Sequence, residues 1–476
     1  MAEPQSLVQQ EDEEQRRLSE AVRIGGSFRD PAGFVYERDG ELLRQVNATG
    51  IAELRALHDS GLYAELSGAG LLVAHEEMPL ADADTDEAEA VLKPERVPFI
   101  SYPYEWCFGQ LRDAALATLE IQKRALARGM VLKDASAYNI QFLRGKPILI
   151  DSLSLEPYKE GEPWVAYRQF CRHFLAPLAL MSWIDPQLAM LQRTSLDGVP
   201  LALASKLLPF KTKLSGGLLM HLHMHGKRED QTATETRQNS ARVSKTALQA
   251  LVDSLEKTIQ GLAPPGGKTE WADYYQDNSY TPEQMERKRQ LAGEMLDSIP
   301  AAKTAWDLGA NTGEFARIAA AKGLQTVAWD IDSAAVEQGY AIVRREQIPN
   351  VLPLRQDLMN PSGNLGWAEH ERDSVSARGP ADVVMALALV HHLAIANNVP
   401  LPQIAEYLSH LGRWVLIEWV PKEDVQVRRL LASRKDVFAH YDQPSFEAAL
   451  SAFFEVCQVE PILDSGRTLY LLRKGG

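Results

Sequence analysis

Two short stretches of this 476-residue chain carry side chains whose types and spacing could do chemistry. The first is Trp306–Phe315, WDLGANTGEF, in which an apolar lead-in ends at Asp307 and two glycines follow, Gly309 and Gly313. It reads as a strand, a tight turn and the first turn of a helix. Glycine suits a backbone that bends sharply and admits a ligand where a Cβ would collide, and a helix start offers it free N–H groups. The spacing, D-x-G-x-x-x-G, is not the G-x-G-x-x-G of a dinucleotide site and spells out no pyrophosphate cradle. The second stretch is Val131–Asp151, VLKDASAYNIQFLRGKPILID, with Asp134, Asn139 and Asp151 arranged around a short hairpin that turns at Arg144-Gly145-Lys146-Pro147.

Beyond the glycine turn, apolar runs end repeatedly in polar groups. Gln325–Ala328 ends at Trp329-Asp330-Ile331-Asp332, and Val351–Leu354 leads into Gln356-Asp357-Leu358. ADVVMALALVHHL, Ala381–Leu393, reads as a buried parallel strand running into His391 and His392, and Trp414–Trp419 carries Glu418. In this order the elements resemble the class I S-adenosylmethionine (SAM) methyltransferases. The resemblance implies an α/β Rossmann-like fold with a seven-stranded, mostly parallel sheet. It implies SAM as cofactor, held by Asp307, Gly309, Ala310, Asn311, Gly313, Asp330, Ile331, Asp357, Leu358 and Leu387. An acid where Asp330 stands can accept hydrogen bonds from both ribose hydroxyls, and Asp330 is preferred to Asp332 because it closes its strand. The family places an acid at Asp357 to receive the adenine amino group.

Methyl transfer from a sulfonium is an in-line displacement, so the protein chiefly aligns the nucleophile and removes its proton where needed. His391 and His392 leave the fourth strand and Glu418 the fifth, and these strands are neighbours in the family. One histidine can then act as general base on a hydroxyl with Glu418 orienting it. The sequence does not choose between the two, and the plainer alternative is a histidine that caps a helix. A His-His-Glu metal site would lack a further ligand, and no metal is expected. The expected acceptors are hydroxyls of a glycan or a small metabolite. Tyr275 or Tyr280, ahead of the helix opened by Thr281-Pro282-Glu283, can line the site or pack in a core. Arg428, Arg429, Arg434 and Lys435 are clustered enough to meet an anionic substrate, with helical surface charge the commoner explanation.

The Asp134–Asp151 stretch resembles the catalytic loop of the protein-kinase-like superfamily. By that resemblance Asp134 is the base, Asn139 and Asp151 hold magnesium on ATP phosphates, and Mg·ATP becomes a second ligand. The preceding order of hairpin, helix, strand, aromatic segment and long helix matches an α+β kinase-like layout. Departures are clear. Lys133 replaces the usual residue before the base, Ser152-Leu153 replaces Phe-Gly, and no glycine-rich loop precedes the second strand. Arg44 in LLRQV is the nearest cation and does not substitute freely for lysine. The alternative is a hairpin in which Asp134 caps a turn, Asn139 bonds the backbone and Asp151 ends a strand.

The length suggests two or three domains. They are expected as a charged tail at 1–24, a kinase-like domain at 25–226, a linker with a helix at 227–268, and a methyltransferase domain at 269–476. A net charge of −14 argues against sequence-independent nucleic-acid binding. Cys107, Cys171 and Cys457 form no C-x-x-C pair, which fits a reducing compartment. No signal peptide is evident at the start, and the longest apolar run, Phe174–Ile184, is interrupted by Pro177 and too short to span a bilayer. A cytoplasmic protein with a small-molecule or glycan substrate and no membrane partner is expected. The oligomeric state is not legible.

Locally, the pattern predicts a helix over 11–22, a hairpin about Arg38-Asp39-Gly40, a helix over Ile51–Leu66 and a strand over Gly70–Val73. It predicts an acidic loop over 81–90, a strand entering the aromatic run Val97–Trp106, and a helix over Phe108–Arg128 stopped by Gly129. His221, His223 and His225 are expected to be solvated or partly packed, and Ser244–Leu262 helical. The whole chain is similar to bacterial methyltransferase-like proteins that include nodulation-associated members. Two other functions stay open: a bifunctional kinase and methyltransferase, and a SAM-binding regulator without turnover.

Overall fold

A computed structural model of the chain describes residues 21–231, 242–264, 280–432 and 435–475. Tyr275, Arg434 and nearly all of the helix expected at 11–22 lie outside the described residues.

The first half begins with five antiparallel strands, β1 (Val22–Arg23), β2 (Gly33–Arg38), β3 (Glu41–Asn47), β4 (His75–Met78) and β5 (Ala88–Pro94). Their order in the sheet is β1-β2-β3-β5-β4. Asp39 and Gly40, with φ of 53° and 77°, make the tight turn between β2 and β3 that the Asp-Gly pair predicts. The expected helix over 51–66 forms as two, Ile51–Asp59 and Leu62–Gly68, because Gly61 between them takes a left-handed φ of 73°. Three local expectations are corrected. Val22 is in a strand; the run Gly70–Val73 contributes only a bridge from Leu72 to Leu149, with the strand falling at β4; and Ala88–Ala90, expected in an acidic loop, starts the inner strand β5. Val97–Trp106 is irregular backbone whose aromatic side chains are recruited elsewhere, with Phe99 edge-on to Trp306 and Trp329 of the second half.

The helix Phe108–Ala127 buries its apolar stripe and ends before Gly129, φ 73°. After it come β6 (Met130–Leu132), β7 (Ile140–Leu143), β8 (Lys146–Leu149) and β9 (Leu155–Pro157), pairing β6 with β9 and β7 with β8. The Asp134–Asn139 loop therefore joins two small sheets, and Asp151 follows β8 directly. His221 and His223, expected to be solvated or partly packed, are buried in a helical segment, each ring held between two hydroxyls. The helix Lys245–Gln260 buries Leu248, Val252, Leu255 and Ile259, and Lys123 of the long helix reaches its Asp253 and Glu256 at 2.8 and 2.7 Å. It docks on the first half and does not act as a free linker.

In the second half, β10 (Thr304–Leu308), β11 (Gln325–Asp330), β12 (Val351–Arg355), β13 (Ala381–Ala386), β14 (Gly412–Trp419), β15 (Phe454–Pro461) and β16 (Thr468–Lys474) form one sheet. The order is β12-β11-β10-β13-β14-β16-β15, parallel from β12 to β14, with β16 antiparallel to both its neighbours. This is the expected seven-stranded Rossmann-like sheet. Its order reverses at β10, which lies between β11 and β13, and such a switch point opens a crevice at the carboxyl ends of the strands.

The halves share one apolar core and a polar seam. Arg378 of the second half is buried against Glu105 of the first, with its guanidinium over the rings of Phe99 and Tyr102. Tyr340 donates to Asp113 at 2.7 Å, and Gln110 to the Pro353 carbonyl at 2.9 Å. Among the described residues no helix is long and apolar enough to cross a membrane.

Candidate active site

The glycine turn is where the sequence places it. Gly309 and Gly313 take φ of 73° and 78°, a region other residues enter at a cost. A Cβ on Gly309 would sit 3.1 Å from Leu389 Cδ1, so the turn presses against the chain leaving β13. The N–H groups of Gly309 and Ala310 both donate to the Trp329 carbonyl at 2.9 and 2.8 Å, and that of Asn311 donates to Asp330 Oδ2 at 2.7 Å. The turn is thereby tied to the end of β11, and Asp330 faces it.

Asp330 and Asp332 part company here. Asp332 caps the helix Ser333–Glu346, taking the Ala334 and Ala335 N–H groups at 2.7 and 3.3 Å, whereas Asp330 turns to the glycine turn and takes the Asn311 N–H. Burial pushes the Asp330 carboxyl up to about 6. Its Oδ1 accepts the Asp332 N–H and its Oδ2 the Asn311 N–H, and a carboxylate has acceptor capacity beyond these. Asp357 follows β12 and accepts the Met359 N–H at 2.8 Å, while the Gln356 N–H ties this loop to the Asp330 carbonyl. Ile331 stands half exposed beside Asp330, Leu358 is half buried and Leu387 is buried. Asp307 closes β10 from inside. Its Oδ2 is buried and has no hydrogen-bond partner among the described residues, and burial pushes the carboxyl up to about 7. A cradle that excludes a Cβ, an unmet buried carboxylate oxygen and an acid with spare acceptors at the next strand end suit an adenosine bearing an ammonium group.

Glu418 does not orient a histidine, contrary to expectation. It is fully buried and receives Lys288 Nζ at 2.6 Å, Arg467 Nη1 at 3.0 Å, the Tyr280 hydroxyl, and the Ala388 N–H at 2.9 Å. Arg467 also reaches Asp424 at 2.9 Å. Burial alone would raise the Glu418 carboxyl, but the two cations hold it down to about 2. Burial, with Arg467 beside it, lowers the Lys288 ammonium although Glu418 pulls the other way. Through Ala388, at φ 49°, Glu418 fixes the backbone that leads to the histidines.

Those histidines differ. His391 is completely buried, neither ring nitrogen has a partner among the described residues, and burial takes its imidazole well below the usual value. His392 is half buried, stacks near His391 with centroids 4.2 Å apart, and is brought down to about 4 by burial and then by Arg467. His392 is therefore the more accessible of the two. Arg428 and Arg429 stand exposed on the helix Val425–Ala432.

Lys288 and Arg467 were not anticipated. Lys288 had a signal, since it falls on the helical stripe of Met285, Leu291, Ala292 and Met295, where an apolar residue belongs. Arg467, between a glycine turn and an apolar strand, had none.

In the first half, Asp134, Asn139 and Asp151 are brought into one small cluster. Asp134 accepts the Ser136 N–H at 2.9 Å and is raised by burial; Asn139 donates to Ser154 Oγ at 3.2 Å, and Ser154 in turn bonds Asp151. Burial would raise Asp151, yet Arg44 at 2.6 Å holds it below its usual value. Arg44 also reaches Asp30 at 3.2 Å, and Lys133 lies 3.7 Å from Glu53 on the helix Ile51–Asp59. No cluster of three or more metal-ligating side chains occurs among the described residues.

A Rossmann-like sheet with a ligand crevice at its switch point defines the class of the second half. The chain belongs to the family of the nodulation protein NoeA of Rhizobium meliloti (strain 1021), with which it shares 37% identity over 467 residues, 95% of this chain and 96% of that protein. No family model matches it. Among solved structures it has weak likenesses to WbdD (15% identity, 42% of each chain, TM-score 0.30) and to magnesium protoporphyrin IX methyltransferase of Synechocystis PCC 6803 with bound SAH (14%, 43% of this chain and 93% of that one, TM-score 0.30). A third is N-methyltransferase NodS of Bradyrhizobium japonicum WM9 (10%, 41% and 98%, TM-score 0.29).

Proposed function

We propose that the chain is a cytoplasmic SAM-dependent methyltransferase acting on a hydroxyl of a glycan or small metabolite, with its site in residues 269–476. The observation that carries this is the glycine turn hydrogen-bonded to Asp330 at the switch point of the sheet. Asp330 takes the ribose hydroxyls, Asp357 the adenine amino group, and Ile331, Leu358 and Leu387 the faces of the base. Asp307, with Oδ2 unmet, receives the ammonium end. The bound cofactor supplies an electrophilic methyl group, so the protein needs to exclude water and align the acceptor. His392 accepts a hydrogen bond from the acceptor hydroxyl. With its imidazole near 4 it is a weak base, so it takes the hydroxyl proton late, as methylation of the oxygen makes that proton acidic, and most of the rate rests on alignment. Glu418 is a positioning residue acting through Ala388.

For residues 25–226 the reading is a kinase-like module that serves as a scaffold. Arg44 on Asp151 supports it, because a guanidinium already neutralises the carboxylate that would hold magnesium. The test is calorimetric titration of the full chain with SAM and, separately, with Mg·ATP. SAM binding is expected and Mg·ATP binding is not. Failure to bind SAM overturns the central reading, and tight ATP binding that disappears in Asp151→Ala reinstates a bifunctional enzyme. His392→Ala is expected to bind SAM and lose turnover. A wild-type protein that binds SAM yet transfers its methyl to no hydroxyl acceptor is a regulator.

A further inference from the structure

We propose that the outward side of residues 201–224 docks on the surface of an anionic lipid membrane. The chain carries a net charge of −14, yet no acidic residue occurs between Asp197 and Glu229, where Lys206, Lys211, Lys213 and Lys227 fall. Three short segments build this part of the surface: the helix Leu201–Leu207, the turn Phe210–Leu214 and the helical run that includes Leu219–His223. The ring of His223 pins them together, its Nδ1 on Ser205 Oγ at 2.8 Å and its Nε2 on Thr212 Oγ1 at 2.9 Å. Leu201, Ala204, Leu218 and Leu222 point inward and are buried.

Outward, the same unit exposes Phe210 by 73% and Leu214 by 80%, with Leu207 and Met220 at 46% and 51%. Large apolar tips this bare, a few residues apart, are unusual on a protein surface that meets only water. The lysines stand among them, Lys213 with its ammonium 5.2 Å from the Phe210 ring centre and Lys211 4.8 Å from that of Trp183. Apolar tips that enter the acyl boundary, with lysines at the level of the phosphates, are the composition of an interfacial attachment. A second copy is the poorer occupant, since an isologous contact would set these lysines against themselves. The segments are too short to span a bilayer, so the chain lies on the membrane. This replaces the expectation of no membrane partner, which rested on spanning alone. The lysines of this face would meet the phosphates of an anionic leaflet, an attraction that salt screens.

The test is co-sedimentation of the full-length protein with vesicles of phosphatidylcholine alone and of phosphatidylcholine mixed with phosphatidylglycerol. Binding is expected to the mixed vesicles only, and to fall at high salt. Phe210→Ser with Leu214→Ser is expected to weaken it about tenfold or more, and Lys211→Glu with Lys213→Glu to abolish the preference for phosphatidylglycerol. These positions are exposed, and an unchanged circular-dichroism melt verifies that each variant folds. Wild-type protein that stays in the supernatant, equal uptake by neutral vesicles, or variants that bind as well as wild type would overturn the proposal. So would a wild-type dimer, without vesicle binding, that Phe210→Ser with Leu214→Ser converts to monomer.

Discussion

Replacing Glu418 by glutamine removes the carboxylate that Lys288 is paired with at 2.6 Å and weakens the hold on Arg467, which retains Asp424. Both cations are 3% exposed or less, so the change strands an ammonium in the interior. Two routes give the magnitude. Moving a carboxyl from its usual 4.5 down to about 2 is worth roughly 3 kcal/mol at 1.36 kcal/mol per pH unit. Breaking a buried pair by deleting one partner costs ~3–5 kcal/mol. Glu418→Gln is therefore expected to lose about 3 kcal/mol at pH 7, measured by urea unfolding followed through tryptophan fluorescence, for which the buried Trp419 and Trp329 are reporters. The sign with pH follows from the depressed value. The stabilisation is present in full above about 4.5 and is lost as pH falls toward about 2. The gap between wild type and variant should close over that window. Lys288→Met added to Glu418→Gln should recover part of the loss, because an apolar side chain of similar volume needs no counter-charge. A variant as stable as wild type, or a gap that stays constant from pH 7 to the acid limb, would refute the reasoning.

Two further outcomes follow from the buried carboxylates and the seam. Asp330 and Asp307, at about 6 and about 7 in the free protein, receive the ribose and the ammonium best when ionised, so SAM affinity should level off only above about pH 8 and fall well over tenfold by about pH 5; calorimetry across pH checks this, and Asp330→Asn should bind weakly at every pH. Arg378→Met leaves Glu105 buried with only the Tyr102 N–H and should cost ~3–5 kcal/mol, seen as easier proteolysis between the halves, with Glu105→Gln in the same chain restoring part of it.

The sequence by itself determined the strands and the glycine turn of the second half. Period and punctuation were sufficient for its strands, which are short apolar runs, with Asp307 next to last in β10 and Asp330 closing β11. The glycine turn, Asp330 at the close of β11, the Asp39-Gly40 turn and the Phe108–Ala127 helix are local features, set within a few residues by backbone sterics and hydrophobic period. Tertiary structure alone decided what depends on partners far away in the chain. Val97–Trp106 has the composition of a strand, but its Phe99 ring is taken by Trp306 and Trp329, about two hundred residues later, and no local propensity records that. Glu418 looked available to a histidine because both leave adjacent strands; burial makes a lone carboxylate costly, and Lys288 and Arg467, 130 and 49 residues away, were placed to meet it. The choice between His391 and His392 is likewise one of packing, since neighbours in sequence on a helical turn face different surroundings and only the fold says which of them water or a substrate can reach.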